Sequence, residues 1–404
     1  MPKVKNVVII NDFDYIQGGA SKVAIDTANL LSNEYNIYFF SGDSKQTSTL
    51  KENVKRICTN QGEALKDRNR LRGMINGIYN FRAKRKLKKL LLTLDKNETI
   101  IHVHGWTKCL SSSIFDISWK LGFKLVLTMH DYFTACPNGG YFNYKTNEIC
   151  CLEPLSWKCI KCNCDSRNYM FKLYRILRQF VQNKIVKLND RLNDVISISD
   201  FSEKILKKTL NYKTKIHRIF NPIDFDKNPK KIDPTINKYY LYVGRVSKEK
   251  GVDLFCDAIS ELNLNGIVVG DGSEKAILQN RYKNIEFTGW KNNEEVKEYM
   301  KGARALIFPS RWYEGAPLTP LEAMQYGIPC LVSNVSAAVD YIEKNGCIFE
   351  LSNESLKQKI IECEKNIVKY SNGAFEYYSK IKEKNYKNDI KLLYERLELE
   401  NEGE

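Results

Sequence analysis

Short apolar runs alternate with stretches of helical periodicity along the first half of the chain. The run at 7–10 has the composition of a buried strand, and a Gly-Gly pair at 18–19 separates it from a helical pattern at 23–31. Strands that alternate with helices indicate βαβ units and a parallel sheet. Similar apolar runs predict three further strands, at 37–40, 100–104 and 124–128.

The second half of the chain repeats this alternation, with strands predicted at 239–243, 266–269, 285–288, 305–309 and 329–332. The Asn-Pro pair at 221–222 interrupts any helix and marks the join between the halves. The pattern therefore predicts an α/β protein of two doubly wound domains, 1–222 and 223–374, with a cleft between them. The charged segment 375–404 has apolar residues at helical spacing and is predicted as a C-terminal helix.

Length and composition fit this architecture. A chain of 404 residues suits two domains, and 43% hydrophobic with 27% charged residues excludes a disordered or fibrous protein. The sequence contains no run of about 18 apolar residues, so it predicts no membrane-spanning helix. The first apolar run is too short for the core of a signal peptide. We therefore expect a cytoplasmic protein.

The net charge of +15 is confined to the first half of the chain. Residues 1–225 carry 37 Lys and Arg against 20 Asp and Glu, whereas residues 226–404 carry 26 against 28. Two segments of the first half, 81–92 and 167–188, mix cations with apolar residues at helical spacing. They suit an anionic lipid surface, although a solvated face over an ordinary core helix fits each segment as well. No recognised nucleic-acid-binding motif is present, so no nucleic-acid partner is expected.

Two cations follow the strand predicted at 239–243. Arg245 comes directly after Gly244, and Lys250 follows five residues later. Ligands of doubly wound sheets bind beyond the carboxyl ends of the strands, where a guanidinium and an ammonium suit a diphosphate. The other interpretation is two solvated surface cations, because the acidic Glu249 lies between them.

The most specific segment runs from 308 to 324. Glu314 lies in a Gly- and Pro-rich loop, and Glu322 follows in the first turn of a helix predicted to begin near Pro320. Carboxylates accept hydrogen bonds from sugar hydroxyls, and the backbone N–H groups at 316–319 are suited to phosphate oxygens. The Gly pair at 18–19 allows a similar close approach of backbone to ligand, although it also suits a tight turn.

Taken together, these motifs resemble the retaining nucleotide-sugar glycosyltransferases of the GT-B fold, glycosyltransferase family 4, over roughly residues 5–370. The resemblance implies two Rossmann-like domains that face a donor cleft, and a C-terminal helix that crosses back to the first domain. The motifs that carry it occur in order and at consistent distances: Gly18-Gly19, His130-Asp131, Gly244-Arg245 with Lys250-Gly251, Phe287 with Gly289, and Glu314 with Glu322.

The resemblance also implies roles for individual residues. Arg245 and Lys250 would bind the donor diphosphate and stabilise it as it leaves, and Glu322 would bind the donor ribose. Glu314 and His130 would contact the donor sugar near its anomeric carbon. The other donor-binding positions that it implies are Gly18, Gly19, Gly244, Trp290, Ala316, Pro317, Leu318 and Thr319.

By the same resemblance, the transfer keeps the anomeric configuration, and the leaving diphosphate accepts the proton of the acceptor. No cofactor or metal is then expected for catalysis. We expect a nucleotide-sugar donor, a UDP-sugar, and a glycan acceptor, lipid-linked, in the synthesis of a bacterial capsule, lipopolysaccharide O-antigen or exopolysaccharide. The enzyme would associate peripherally with the inner face of the cytoplasmic membrane. Two alternatives stay open: a GT-B-fold sugar-nucleotide epimerase or phosphorylase, and a non-catalytic nucleic-acid-binding protein.

Half of the twelve cysteines fall within the 29 residues of segment 136–164. In a reducing compartment such density favours a tetrahedral structural zinc site over disulfides. Reduced cysteines in ordinary packing fit the pattern as well, and Cys159 and Cys162 have the spacing of a zinc knuckle. The four ligands that we predict are Cys136, Cys150, Cys159 and Cys164.

His102 and His104 lie at the end of the strand predicted at 100–104. We expect their side chains to point to opposite faces of the sheet, which argues against a shared metal ion. His130 is therefore the histidine that we predict in the active site.

Overall fold

The computed structural model describes residues 4–45 and 47–399. The first part of the chain contains seven parallel strands and a short hairpin, with helices between them. In chain order its elements are β1 (Asn6–Phe13), α1 (Gly19–Leu31), β2 (Asn36–Asp43), β3 (Lys55–Cys58), α2 (Arg70–Ile78), α3 (Phe81–Leu91), β4 (Thr99–Val103), α4 (Ser113–Lys120), β5 (Lys124–Met129), β6 (Phe142–Asn143), β7 (Glu148–Ile149), α5 (Trp157–Lys161), α6 (Tyr169–Phe180), α7 (Leu188–Arg191), β8 (Asp194–Ser197), α8 (Asp200–Leu206) and β9 (Lys215–Arg218).

The second part contains a six-stranded parallel sheet and ends in three helices. Its elements are β10 (Tyr239–Val243), α9 (Val252–Glu261), β11 (Asn265–Val269), α10 (Lys275–Arg281), β12 (Ile285–Gly289), α11 (Asn293–Lys301), β13 (Ala303–Phe308), α12 (Thr319–Met324), β14 (Cys330–Ser333), β15 (Gly346–Phe349), α13 (Asn353–Lys365), α14 (Ile367–Ile381) and α15 (Tyr386–Leu399).

Both sheets are doubly wound. The strand order is β3-β2-β1-β4-β5-β8-β9 in the first sheet and β12-β11-β10-β13-β14-β15 in the second. The central strands are continuous apolar runs because helices cover both faces of a parallel sheet; in β1, every residue after Asn6 is buried. The prediction of an α/β protein with two Rossmann-like domains is confirmed. The join predicted at 222/223 lies between the last strand of the first sheet and the first strand of the second.

The end of the chain differs in detail from the single helix predicted at 375–404. Two helices, α14 and α15, cover 367–381 and 386–399, and residues 400–404 lie outside the described residues. Helix α15 packs on the first domain, where Leu393 and Tyr394 are buried among side chains of the first sheet. The Tyr394 hydroxyl lies 2.8 Å from Nδ1 of His102. The chain thus returns to its first domain after completing the second.

No described helix combines the length and the hydropathy needed to span a bilayer. Predicted site residues of both domains, Gly18 and Gly19 in the first and Glu314 in the second, lie in or next to loops that follow the carboxyl ends of strands.

Candidate active site between the two domains

A cavity of about 340 Å³ lies between the two sheets. Loops that follow β1, β4 and β5 form its first wall, and the loop before α12 forms the opposite wall. Because these are carboxyl ends of parallel strands, this is the position at which doubly wound folds bind ligands. The predicted site residues that line the cavity are Gly18, Gly19, His130, Glu314 and Ala316.

Gly18 and Gly19 lie at the amino end of α1, with Gly18 as the residue that precedes the helix. A Cβ atom at either position would have no atom of the described residues within 4 Å. Neither packing nor a left-handed backbone therefore explains glycine here. The open space adjoins the amino end of a 13-residue helix, where the helix dipole favours a negative charge.

Glu314 is the most constrained carboxylate of the cavity. Its Oε1 accepts hydrogen bonds from the Lys250 ammonium, from Ser310 Oγ at 3.0 Å and from Trp312 Nε1 at 2.7 Å. Burial alone would raise the pKa of Glu314, but Lys250 and the other two donors lower it below the ordinary value. Glu314 is therefore ionised, and its carboxylate is held in one orientation.

The two predicted phosphate ligands have different surroundings. The Lys250 side chain is 20% exposed and pairs with Glu314, so it belongs to the cleft. The Arg245 side chain is 57% exposed and pairs with Glu249 at 2.5 Å, so it lies at the surface of the protein. The alternative of two solvated cations thus describes Arg245 and not Lys250.

Several residues that were predicted to bind the donor lie in or next to α12 and do not line this cavity. Helix α12 begins at Thr319, and Glu322 lies in its first turn as predicted, after Pro317 and Leu318. Burial raises the pKa of Glu322, and the nearby Lys22 of the first domain opposes this rise.

Backbone hydrogen bonds join the loops after β10, β11 and β12. The Gly244 N–H donates to Val269 O at 3.0 Å, and the Gly270 N–H donates to Gly289 O at 2.9 Å. Trp290 follows directly and is 75% exposed. The three loops are therefore held side by side, and Trp290 is exposed next to them.

His130 belongs to a stack of three histidines. His130 Nε2 lies 2.9 Å from His104 Nδ1, and the rings of His104 and His102 are 4.2 Å apart. The prediction that His102 and His104 point to opposite faces is wrong, because residues two apart on a strand share a face. Burial lowers the pKa of His102 and of His130 to about 3, so both rings are neutral near pH 7.

Asp131 and Asp12 line the same cavity, although the sequence analysis assigned neither a role. Burial raises the pKa of Asp131 to about 6, and burial also raises the pKa of Asp12. Asp12 accepts backbone hydrogen bonds from Lys108, Cys109 and Leu110, and so fixes the loop after β4. The only feature of the sequence that pointed to Asp131 as a site residue was its position directly after His130.

The cysteine-rich segment contains the β6–β7 hairpin and α5. Within the described residues, no group of three or more His, Cys, Asp or Glu side chains is arranged to hold a metal ion. The Lys172 ammonium lies 3.2 Å from Cys164 Sγ and 3.5 Å from Cys159 Sγ, and the Lys172 residue is 1% exposed. Zinc binding by Cys136, Cys150, Cys159 and Cys164 stays a prediction.

Residues 224–388 match the family model described as glycosyl transferases group 1. One relative is an uncharacterized glycosyltransferase of Methanocaldococcus jannaschii, MJ1178, 32% identical over 130 residues that cover 30% of this chain and 37% of the relative. Another is the UDP-Gal:alpha-D-GlcNAc-diphosphoundecaprenol alpha-1,3-galactosyltransferase of Escherichia coli, 28% identical over 34% of this chain and 42% of the relative. The matched segments thus span well under half the length of these relatives.

Solved structures match almost the whole chain. Sucrose-phosphate synthase from Thermosynechococcus elongatus superposes with a TM-score of 0.69 at 15% identity, over 97% of this chain and 99% of the other. The chain has the GT-B fold. Anabaena Alr3699/HepE in complex with UDP superposes with a TM-score of 0.65 at 16% identity, over 98% of this chain and 99% of that protein. At such identities the GT-B likeness establishes the architecture of the two domains and their cleft.

Proposed function

We propose that this protein is a retaining glycosyltransferase that moves a sugar from a UDP-sugar to a lipid-linked glycan. The product would belong to a bacterial surface polysaccharide, made at the inner face of the cytoplasmic membrane. The match of residues 224–388 and the names of the relatives support the reaction class. The observation that carries the proposal is the cleft itself, in which Glu314, paired with Lys250, lines one cavity with Gly18, Gly19 and His130.

The donor diphosphate would lie between the amino end of α1 and Lys250. The open space at Gly18 and Gly19 admits phosphate oxygens, and the helix dipole favours their charge. Negative charge on the diphosphate grows as the bond to the sugar breaks. A fixed ammonium then stabilises the transition state more than the bound donor. Arg245, at the mouth of the cleft, would add a second cation once the donor replaces Glu249 as its partner.

The sugar would lie between Glu314 and His130. Glu314 Oε2 takes no part in the three hydrogen bonds that fix Oε1, and it would accept a bond from a sugar hydroxyl. His130 is neutral near pH 7, so it would contact the sugar by hydrogen bonding. In this proposal the acceptor oxygen bonds to the anomeric carbon on the face that the diphosphate leaves, and the diphosphate takes the hydroxyl proton, so the anomeric configuration is unchanged. Catalysis would then need no cofactor.

The acceptor would bind in a second cavity, of about 600 Å³, that adjoins the first at the loop before α12. Tyr313 lies on its wall, next in the chain to Glu314, and packs against Tyr141 of the cysteine-rich segment, with ring centroids 5.9 Å apart. Aromatic faces beside polar side chains suit sugar rings. The name of the Escherichia coli relative, which includes a diphosphoundecaprenol acceptor, supports a lipid-linked glycan.

A panel of nucleotide sugars tests the proposal directly. Binding of the correct donor at about 100 times its dissociation constant would stabilise the fold by about 2.7 kcal/mol, which a thermal-shift assay detects. The stabilising donor is then incubated with lipid-linked glycans, and the anomeric configuration of the product is measured by NMR. We expect a product with the configuration of the donor. Inversion would contradict the retaining reaction, and conversion of the donor to its epimer without an acceptor would favour an epimerase.

A further inference from the structure

Helix α6 reverses the usual distribution of side chains on a surface helix, in which apolar residues face inward and polar residues face the solvent. Its inner face is polar and basic, with Lys172, Arg178 and Gln179 all buried. Lys172 and Arg178 donate to Cys164 Sγ and to Pro137 O of the cysteine-rich segment, and Gln179 donates to Thr134 O just before it. The outer face is apolar, and its exposed side chains are Met170, Leu173, Leu177 and Phe180.

Helix α2 also exposes its apolar side chains, but for a different reason. Its buried face consists of Gly73 and Gly77, one turn apart. A Cβ at Gly77 would lie 1.7 Å from the hydroxyl of Tyr174, and one at Gly73 would lie 2.2 Å from Ala64 O. The helix therefore contacts the domain through its backbone and turns its large apolar side chains outward. Those side chains are Leu71, Met74 and Ile75.

The two helices are neighbours and form one continuous surface. The Gly77–Tyr174 contact joins them, and a groove of about 420 Å³ between them is lined by Met74, Met170 and Phe171. Monomeric proteins seldom leave so many large apolar side chains together in water. We call this surface the α2–α6 face; its exposed apolar residues are Leu71, Met74, Ile75, Met170, Leu173, Leu177 and Phe180.

Cations lie next to the α2–α6 face, where Arg70 lines its groove. Arg68 and Arg70 are exposed beside its apolar residues, and Asp67, the neighbouring acid, is already paired with Arg72 at 2.7 Å. Helix α3 follows directly and adds further exposed cations, Arg82, Arg85, Lys86, Lys88 and Lys89.

Helix α3 has the usual distribution of side chains, with apolar residues inward and charged residues outward. Ala83, Leu87 and Leu91 face the core, and Lys84 pairs with Asp116 at 2.6 Å. Of the two segments that the sequence analysis considered for a lipid surface, 81–92 therefore supplies charge, and 167–188 supplies apolar side chains.

Exposed apolar side chains next to cations favour one kind of binding partner. An apolar centre bordered by cations complements an anionic bilayer, in which apolar side chains reach the acyl boundary and cations contact the headgroups. A second copy of the chain fits poorly, because a symmetric contact would bring the same cations together. We propose that the α2–α6 face lies on an anionic lipid bilayer. This inference does not depend on the proposed activity, since membrane binding is measured without a donor or an acceptor.

Co-sedimentation with vesicles tests it. The wild-type chain is mixed with phosphatidylglycerol vesicles or with phosphatidylcholine vesicles and centrifuged. The test variant is Met74→Glu/Leu177→Glu, which changes one exposed residue on each helix. The matched control is Ile277→Glu, which changes an exposed residue of similar size on α10 in the second domain. Far-ultraviolet circular dichroism checks that each variant is folded.

We expect the wild type and Ile277→Glu to bind anionic vesicles, and binding to neutral vesicles to be much weaker. The double variant should lose about tenfold or more of its vesicle partitioning. Wild-type partitioning of the double variant would overturn the proposal. So would a wild-type chain that ignores anionic vesicles but forms a dimer that the double substitution dissociates, since the face would then bind a second copy.

Discussion

At the scale of single residues, Glu322 lies half-buried in the first turn of α12, and removing its carboxylate tests the proposed role as a ribose ligand. Glu322→Ala should weaken donor binding by about 1.5–3 kcal/mol, because a hydrogen bond to a charged group is lost. Calorimetric titration measures this. Glu294→Ala, an exposed carboxylate in the same domain, is the control and should bind donor normally. Unchanged affinity in folded Glu322→Ala would remove the ribose assignment.

The histidine stack predicts an acid-sensitive fold. Burial lowers the pKa of His102 to about 3, below the ordinary value of 6.5. A folded-state pKa below the unfolded one gives stability above pH 6.5 that is lost as the pH falls toward 3. At pH 5 the loss from His102 alone should be about 2 kcal/mol relative to neutral pH.

Urea unfolding between pH 7 and pH 5 measures this loss. His102→Gln removes the titrating ring, so the free energy of unfolding of this variant should fall less than that of the wild type when the pH is lowered from 7 to 5. Equal slopes for the two proteins would mean that the pKa of His102 is the same in the folded and in the unfolded chain. Donor binding should change little over this pH range through His130, whose ring stays neutral.

At the scale of elements, periodicity predicted where helices and strands lie more reliably than which way they face. The apolar run at 239–243 matches β10 in full, because a buried parallel strand has a continuous apolar sequence. The segment 167–188 was correctly expected to contain a helix. Its inward polar face was not foreseeable, because helical periodicity does not show that Lys172 and Arg178 find a sulfur atom and a carbonyl oxygen of the cysteine-rich segment as partners.

Short strands at the sheet edges were also missed. Strands β3, β9 and β15 have four residues each and lie at sheet edges, and β9 includes Lys215, His217 and Arg218. Edge strands are solvated on one side, so their sequences lack the apolar run that identifies central strands. In the site, by contrast, the loop motifs brought Gly18, Gly19, His130, Lys250 and Glu314 to one cleft, since all follow strand ends.

The cysteine-rich segment gives a prediction at this scale. Lys172 is buried against thiols, and burial raises the pKa of Cys164 to about 11, so a neutral thiol is its ordinary partner. Zinc would convert the thiols to thiolates and so provide the negative charge that a buried ammonium requires.

Plasma mass spectrometry of the purified protein decides the zinc prediction. We expect about one zinc per chain, and a lower content in Cys164→Ser than in Cys58→Ser, which changes a cysteine outside the segment. Less than about 0.2 zinc per chain in the wild type would exclude the site.

At the scale of the whole molecule, α15 connects the end of the chain to the first domain, and a pair of adjacent leucines tests this contact. Leu393 is 3% exposed and packs in the core of the first domain, whereas its neighbour Leu392 is 52% exposed. Leu393→Ala should lower the free energy of unfolding by about 2–5 kcal/mol, because a cavity is left in a packed core. Leu392→Ala should change it by less than about 0.5 kcal/mol. Urea unfolding measures both, and equal effects would mean that α15 is not docked in solution.

The arrangement of the two domains gives the chain its cleft, and the Lys250–Glu314 pair is the centre of the proposed chemistry. The most direct test is the kcat of Lys250→Ala at saturating donor. Loss of a fixed cation that stabilises the departing diphosphate should lower kcat by about 100- to 1000-fold, with a smaller change in donor affinity. Lys248→Ala, an exposed lysine in the same turn, should keep wild-type kcat. A wild-type kcat in Lys250→Ala would contradict the proposed site of transfer.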